Sequence, residues 1–186
     1  MEYISTRNTT KNFSFNDIFL KGLASDGGLF VPKKIPLYTF QELEKFKQLS
    51  YKELAVKIIS RFCTDEFKEN EIKDLVNNSY NTFRVDNVVK IKKLDKLNLL
   101  ELFHGPTLAF KDIAMQMIGN MYEQILKKKN LKINVVVATS GDTGAAAISA
   151  IKNRKNIKIF VLHPHGKISN VQRKLMTTTG SKNVFN

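Results

Sequence analysis

Cysteine, histidine, long apolar runs and negative charge are all scarce in this 186-residue chain. With one cysteine, Cys63, no intrachain disulfide can form. Its place in the amphipathic segment Ala55–Cys63 makes it a small buried hydrophobe. The three histidines, His104, His163 and His165, have no carboxylates or cysteines at ligand spacing, so no metal site is expected. No stretch approaches the roughly 20 apolar residues that span a bilayer. The N-terminal Met1-Glu-Tyr-Ile-Ser5 lacks the basic and apolar regions of a signal peptide, and the expectation is a soluble cytoplasmic protein without a membrane partner. Seventeen acidic residues face 30 lysines and arginines, a net charge of +13. A basic face can hold nucleic acid. Here, however, the lysines are scattered, and the one short run, Lys127–Lys129, closes a helix where cations complement the dipole. A solvated surface without a nucleic-acid partner is the expected outcome.

What is present divides into two textures. A hydrophobic content of 42% supports one sizeable core. From about residue 14 to residue 80 the chain reads as helices: Ser14 to Asp17 opens one, Thr39 with Glu42 and Ser50 with Glu53 form capping boxes, and Glu69 to Tyr80 is amphipathic. Ser25-Asp-Gly-Gly-Leu-Phe-Val-Pro32 interrupts them with a turn and a short extended segment. Residues 1–84 are therefore expected to form a helical N-terminal subdomain. From about Val85 strands and helices alternate. Val88 to Ile91 and Leu97 to Phe103 read as strands, Ile133–Ala138 and Ile157–Leu162 as buried parallel strands, and Thr143 to Asn153 as the helix between the last two. Residues 85–186 are thus expected to form an α/β domain with a right-handed crossover.

Two features in this second region carry chemistry. The turn His104-Gly105-Pro106 breaks a strand, Thr107 is a natural N-cap, and Leu108, Ile113, Met117, Ile118, Met121 and Ile125 recur at helical spacing. Lys111 then sits in a first helical turn, where the dipole disfavours an ammonium and favours the neutral amine that can attack an aldehyde. The bland alternative is a lysine whose charge escapes to water. The second feature is Thr139-Ser-Gly-Asp-Thr-Gly144, at the carboxyl end of a parallel strand where open α/β sheets bind ligands. Gly141 and Gly144 let backbone amides approach a ligand, Ser140 and Thr143 add hydroxyls, and the following helix points its positive end there. The loop suits a phosphate or carboxylate, but it lacks the dinucleotide and P-loop patterns. Its structural alternative is a tight turn capped by Asp142, with Ala145–Ala147 for close packing.

The segments ELFHGPTLAFKD (residues 101–112) and ATSGDTGAAA (residues 138–147), and Gly166-Lys-Ile-Ser169 with Gln172 and Lys174, resemble the threonine synthases, pyridoxal-phosphate enzymes of the fold type II group. Ser5-Thr-Arg7 and Gly27-Gly-Leu-Phe-Val-Pro32 resemble that family's N-terminal region. The resemblance implies an α/β protein: a helical N-terminal subdomain followed by part of an open parallel sheet of tryptophan synthase beta-like architecture. It implies that Lys111 bonds the cofactor and later moves protons. It further implies that Ser140, Gly141, Asp142, Thr143 and Gly144 hold the amino-acid carboxylate and border the cofactor ring. Asp142 stands where relatives such as cysteine synthase carry asparagine, which favours threonine synthase over another fold type II lyase or dehydratase.

The implied reaction converts O-phospho-L-homoserine and water to L-threonine and phosphate. Lys167 and Arg7 are candidate phosphate contacts, with a solvated charge the favoured reading for each. The family continues well beyond this chain's length, and the cofactor-phosphate loop and the pyridine-nitrogen contact are expected in that C-terminal portion. The chain is therefore expected to be an N-terminal fragment or one half of a split gene, with bare sheet surfaces that favour a partner chain. A non-catalytic piece needing such a partner is the alternative.

Overall fold

The computed structural model describes all 186 residues. They form two compact units, Met1–Val76 and Asn77–Asn186. In the first, strand β1 (Tyr3–Ser5) pairs antiparallel with β2 (Phe30–Pro32), and helices α1 (Phe15–Phe19), α2 (Phe40–Phe46) and α3 (Tyr51–Ser60) follow the pattern of their start signals. Ser14 with Asp17, Thr39 with Glu42 and Ser50 with Glu53 each make both bonds of a capping box, which satisfies amide groups that a helix start otherwise leaves unpaired. Helix α4 runs Glu69–Tyr80, as its amphipathic spacing predicts, and the division between units falls inside it.

Tyr3, Val56, Cys63, Phe67, Ile72 and Leu75 are buried in this first unit. The Tyr3 hydroxyl donates to the Phe62 carbonyl at 2.5 Å. The Cys63 thiol lies 3.2 Å from the Ile59 carbonyl. Burial, with Asp65 and Glu66 nearby, pushes that thiol up to about 12, so it behaves as a hydrophobe, not a nucleophile.

The second unit opens with a hairpin, β3 (Lys90–Leu94) and β4 (Leu97–Glu101), joined by Asp95-Lys96 with Asp95 at φ 48°. The strands differ from the expected Val88–Ile91 and Leu97–Phe103. The alternating lysines of Lys90-Ile-Lys-Lys-Leu94 fit an exposed antiparallel pair, and Ile91, Leu97, Leu99 and Leu100 are all exposed. Helix α5 (Asp112–Lys129) ends on Asn130 in the left-handed conformation, its final lysines meeting the negative end of the dipole.

Beyond α5 the chain builds a parallel sheet in the order β5 (Ile133–Ala138), β6 (Ile157–Leu162), β7 (Val184–Phe185), with α6 (Asp142–Ile151) and α7 (Asn170–Thr177) between them. Both long strands have the ends their apolar runs predict, and Val136 pairs with Phe160 in register. Their burial departs from expectation. Ile157, Ile159 and Val161 are buried on one face, each contributing about 1.5–3 kcal/mol. On the other face Val136 and Leu162 remain 66% and 61% exposed. Phe160 and Phe185 stack there with ring centroids 4.8 Å apart. The runs read as buried on both sides because both sides are largely apolar, with Asn134 and Lys158 the polar exceptions on the open face, but helices cover only one.

Candidate active site

Lys111 is the residue immediately before α5, not a member of its first turn. Thr107, expected to cap the helix, is instead bound by it. The Asp112 carboxylate, wholly buried, accepts from the Thr107 amide at 2.8 Å and from its hydroxyl at 2.7 Å. Gly105 allows this closure, because a Cβ there would overlap the Asp112 side chain. The chain reaches Lys111 through successive turns, with Leu108 at φ 63°. A bulky residue in that conformation is strained, and such strain concentrates where geometry matters for function. The result is a fastened turn that presents Lys111 at a helix start. The Lys111 Nζ lies 4.5 Å from the Phe110 ring centroid and forms no ion pair.

The second predicted group occupies the β5–α6 connection. Gly141 precedes α6 with φ 153°, a conformation that side chains resist. No side chain makes the standard cap; instead Thr139 Oγ1 accepts from the amides of Gly141 and Gly144, both at 3.1 Å. Asp142 and Thr143 form the first turn, where backbone amides have no acceptor within the helix. Ser140 and Asp142 are exposed, while Gly141 and Gly144 are buried. Asp142 does not cap the turn: its Oδ1 accepts from the Gln172 side-chain amide of α7 at 3.0 Å.

Helix packing brings these two groups to one end of the unit. Gln116 bonds Ser149 at 3.4 Å, and Asn120 accepts from Arg154 at 3.0 Å, so α5 and α6 run side by side in the same direction. Gly119 lets them pack closely, since a Cβ there would lie 2.7 Å from the Ala150 carbonyl. Lys111 therefore precedes one helix, and the 139–144 loop precedes its parallel neighbour. Arg7 and Lys167 are exposed; Arg7 donates to the Asp26 carbonyl at 3.1 Å.

Three residues that position the site carried no assigned role in the sequence reading: Asp112, Thr139 and Gln172. Ser169 and Gln172 have capping-box spacing, and this signal could have located the last of them; the box is formed.

A family model described as "Threonine synthase N terminus" matches residues 2–80. Residues 2–80 are thus similar to the N-terminal domain of threonine synthases. Similarity extends past that domain: the chain is 41% identical to threonine synthase of Pseudomonas aeruginosa, with 100% of this chain and 40% of the relative aligned. It is 44% identical to that of Schizosaccharomyces pombe, with 99% and 38% covered. The crystal structure of the PLP-bound threonine synthase from Brucella melitensis superposes with a TM-score of 0.92 at 41% identity, covering 99% of this chain and 40% of that one. The yeast enzyme gives 0.92 at 42% identity, over 98% of this chain and 39% of its own. The fold is thus the threonine synthase fold over its N-terminal portion. The chain spans about two-fifths of the length of the relatives it matches.

Proposed function

We propose that this chain supplies the lysine half of a pyridoxal-phosphate-dependent threonine synthase active site, acting on O-phospho-L-homoserine. One observation carries the reading: an amine outside any ion pair stands at the start of α5, at the same end as a loop whose first-turn amides are open. The residues fit the cofactor. Lys111 offers an amine for its aldehyde, and Ser140 and Thr143 offer hydroxyls beside the open amides of Asp142 and Thr143. Pyridoxal phosphate, when bound, supplies an electron-accepting ring that makes the substrate Cα proton acidic.

The roles of the chain's own residues follow. Lys111 Nζ would hold the cofactor before substrate arrives and would then move protons between substrate carbons, the chain's own part in exchanging phosphate for water. Ser140, Gly141, Asp142, Thr143 and Gly144 form the cradle for the substrate carboxylate, with the positive end of α6 behind it. A polypeptide equivalent to the remaining three-fifths of the relatives completes the site; its natural seat is the open sheet face at Val136, Phe160, Leu162 and Phe185. No helix is long and apolar enough to cross a membrane.

The test mixes this chain with that complementary polypeptide and pyridoxal phosphate, reduces the complex with borohydride and maps the modified peptide. A pyridoxyl mass on Lys111, lost in Lys111→Ala with the complex still assembled, is the expected result. Equal labelling of a folded Lys111→Ala complex would overturn the assignment.

A further inference from the structure

An anion-binding loop that contains a carboxylate poses a physical problem. Two unit charges about 4 Å apart repel by roughly 1–4 kcal/mol between water and a protein surface. A free Asp142 would therefore oppose any carboxylate or phosphate arriving at the neighbouring amides. In the structure the Asp142 carboxylate is held from α7. Gln172 uses its side-chain amide twice. Its Oε1 lies 3.1 Å from the Ser169 hydroxyl and 3.4 Å from the Ser169 amide, closing the α7 capping box. Its Nε2 donates to Asp142 Oδ1 at 3.0 Å. The same amide group lies against Gly141: a Cβ there would be 2.5 Å from Nε2, 2.6 Å from Cδ and 3.0 Å from Oε1. One helical turn later Met176, fully buried, meets the far end of the loop, its sulfur 2.7 Å from where a Gly144 Cβ would be.

We propose that Gln172 is a positioning residue of the 139–144 loop: it draws the Asp142 carboxylate toward α7 and fixes Gly141 in its positive-φ conformation, so that the first-turn amides of α6 face an incoming anion. This rests on reading that loop as the substrate-carboxylate cradle. The geometry it requires can nevertheless be read with no cofactor or substrate present, so failure here and failure of the catalytic reading are separable.

The capping and latching roles of Gln172 can be separated, because glutamate serves as well as glutamine at the third position of a capping box. Gln172→Glu keeps the α7 start and replaces the donor to Asp142 with a like charge. Adding Asp142→Asn restores a donor–acceptor pair with its polarity reversed. Amide hydrogen exchange is followed in the full 186-residue chain. The Gly141 and Gly144 amides, which bond Thr139 Oγ1, report the loop. The Gln172 amide, which bonds Ser169 Oγ at 3.2 Å, reports the helix start.

Gln172→Glu should speed loop exchange about tenfold or more. The Gln172 amide should be unmoved, and the double variant should bring the loop back to within about threefold of wild type. Three outcomes would overturn the proposal: unchanged loop exchange in Gln172→Glu, loosening of loop and α7 together, or a double variant as fast as the single.

Discussion

Six of the seven helices of this protein start in one of two ways. Helices α1, α2, α3 and α7 begin on complete Ser or Thr capping boxes, formed by residues three apart. Helices α5 and α6 have no such cap, and they carry Lys111 and the 139–144 loop at their starts. At the first kind of start, local sequence and local structure agree. At the second, longer connections replace the box: Asp112 reaches back to Thr107, Thr139 reaches forward across the loop, and Gln172 comes from 30 residues away. A helix start that must leave amides or an amine available cannot fill those positions with its own cap. Departures from local consistency of this kind mark functional positions.

The largest expected effect comes from breaking an uncapped start. Gly144→Val would place a branched side chain where even a Cβ lies 2.5 Å from Thr139 Cγ2 and 2.7 Å from Met176 Sδ. A loss of about 3 kcal/mol is expected from overpacking, measured as a lower urea midpoint. Asp112→Ala follows at about 2 kcal/mol, since it strips a buried turn of the acceptor for two Thr107 donors. Its signature should be local, with accelerated exchange at the Thr107 amide.

This contrast also explains what was legible in the sequence. The helix start at Ser14, the boxes at Thr39 and Ser50, the helix Glu69–Tyr80 and the strands Ile133–Ala138 and Ile157–Leu162 are read from spacing because each is decided within a few residues. Lys111 and the 139–144 loop were identifiable as candidates from the punctuation around them. What holds them was not. Thr107 has the chemistry of a cap, but the Gly105–Asp112 contact takes precedence and moves the helix start to Asp112. The Gln172–Asp142 bond needs a fold before it has meaning. The open sheet face was also beyond local reading, since an apolar run records the same pattern whether or not something covers its second side.

Smaller effects test the capped class. Ser50→Ala should cost about 1 kcal/mol, the usual value of a lost N-cap, with fraying confined to the start of α3.

The smallest effect is a difference in acid sensitivity between the two classes. The Thr39 backbone amide, then its hydroxyl and Arg61, hold the Glu42 carboxyl below its ordinary 4.5; the Ser50 hydroxyl and amide do the same for Glu53. Because these values are depressed in the folded chain, the stabilisation is complete above 4.5 and is lost as pH falls through the lower folded values. At α6 the Gly144 amide instead bonds the Thr139 hydroxyl, which does not titrate in this range, and the neighbouring Asp142 side chain, if protonated, still accepts from Gln172 through its carbonyl oxygen. Following exchange at the Thr39 and Ser50 amides, which donate to the two carboxylates, and at the Gly144 amide from pH 6 to 3, with intrinsic rates divided out, should show protection falling at Thr39 and Ser50 first. Equal loss at all three would mean that the boxes derive nothing from ionised carboxylates and that the two kinds of start differ in geometry alone.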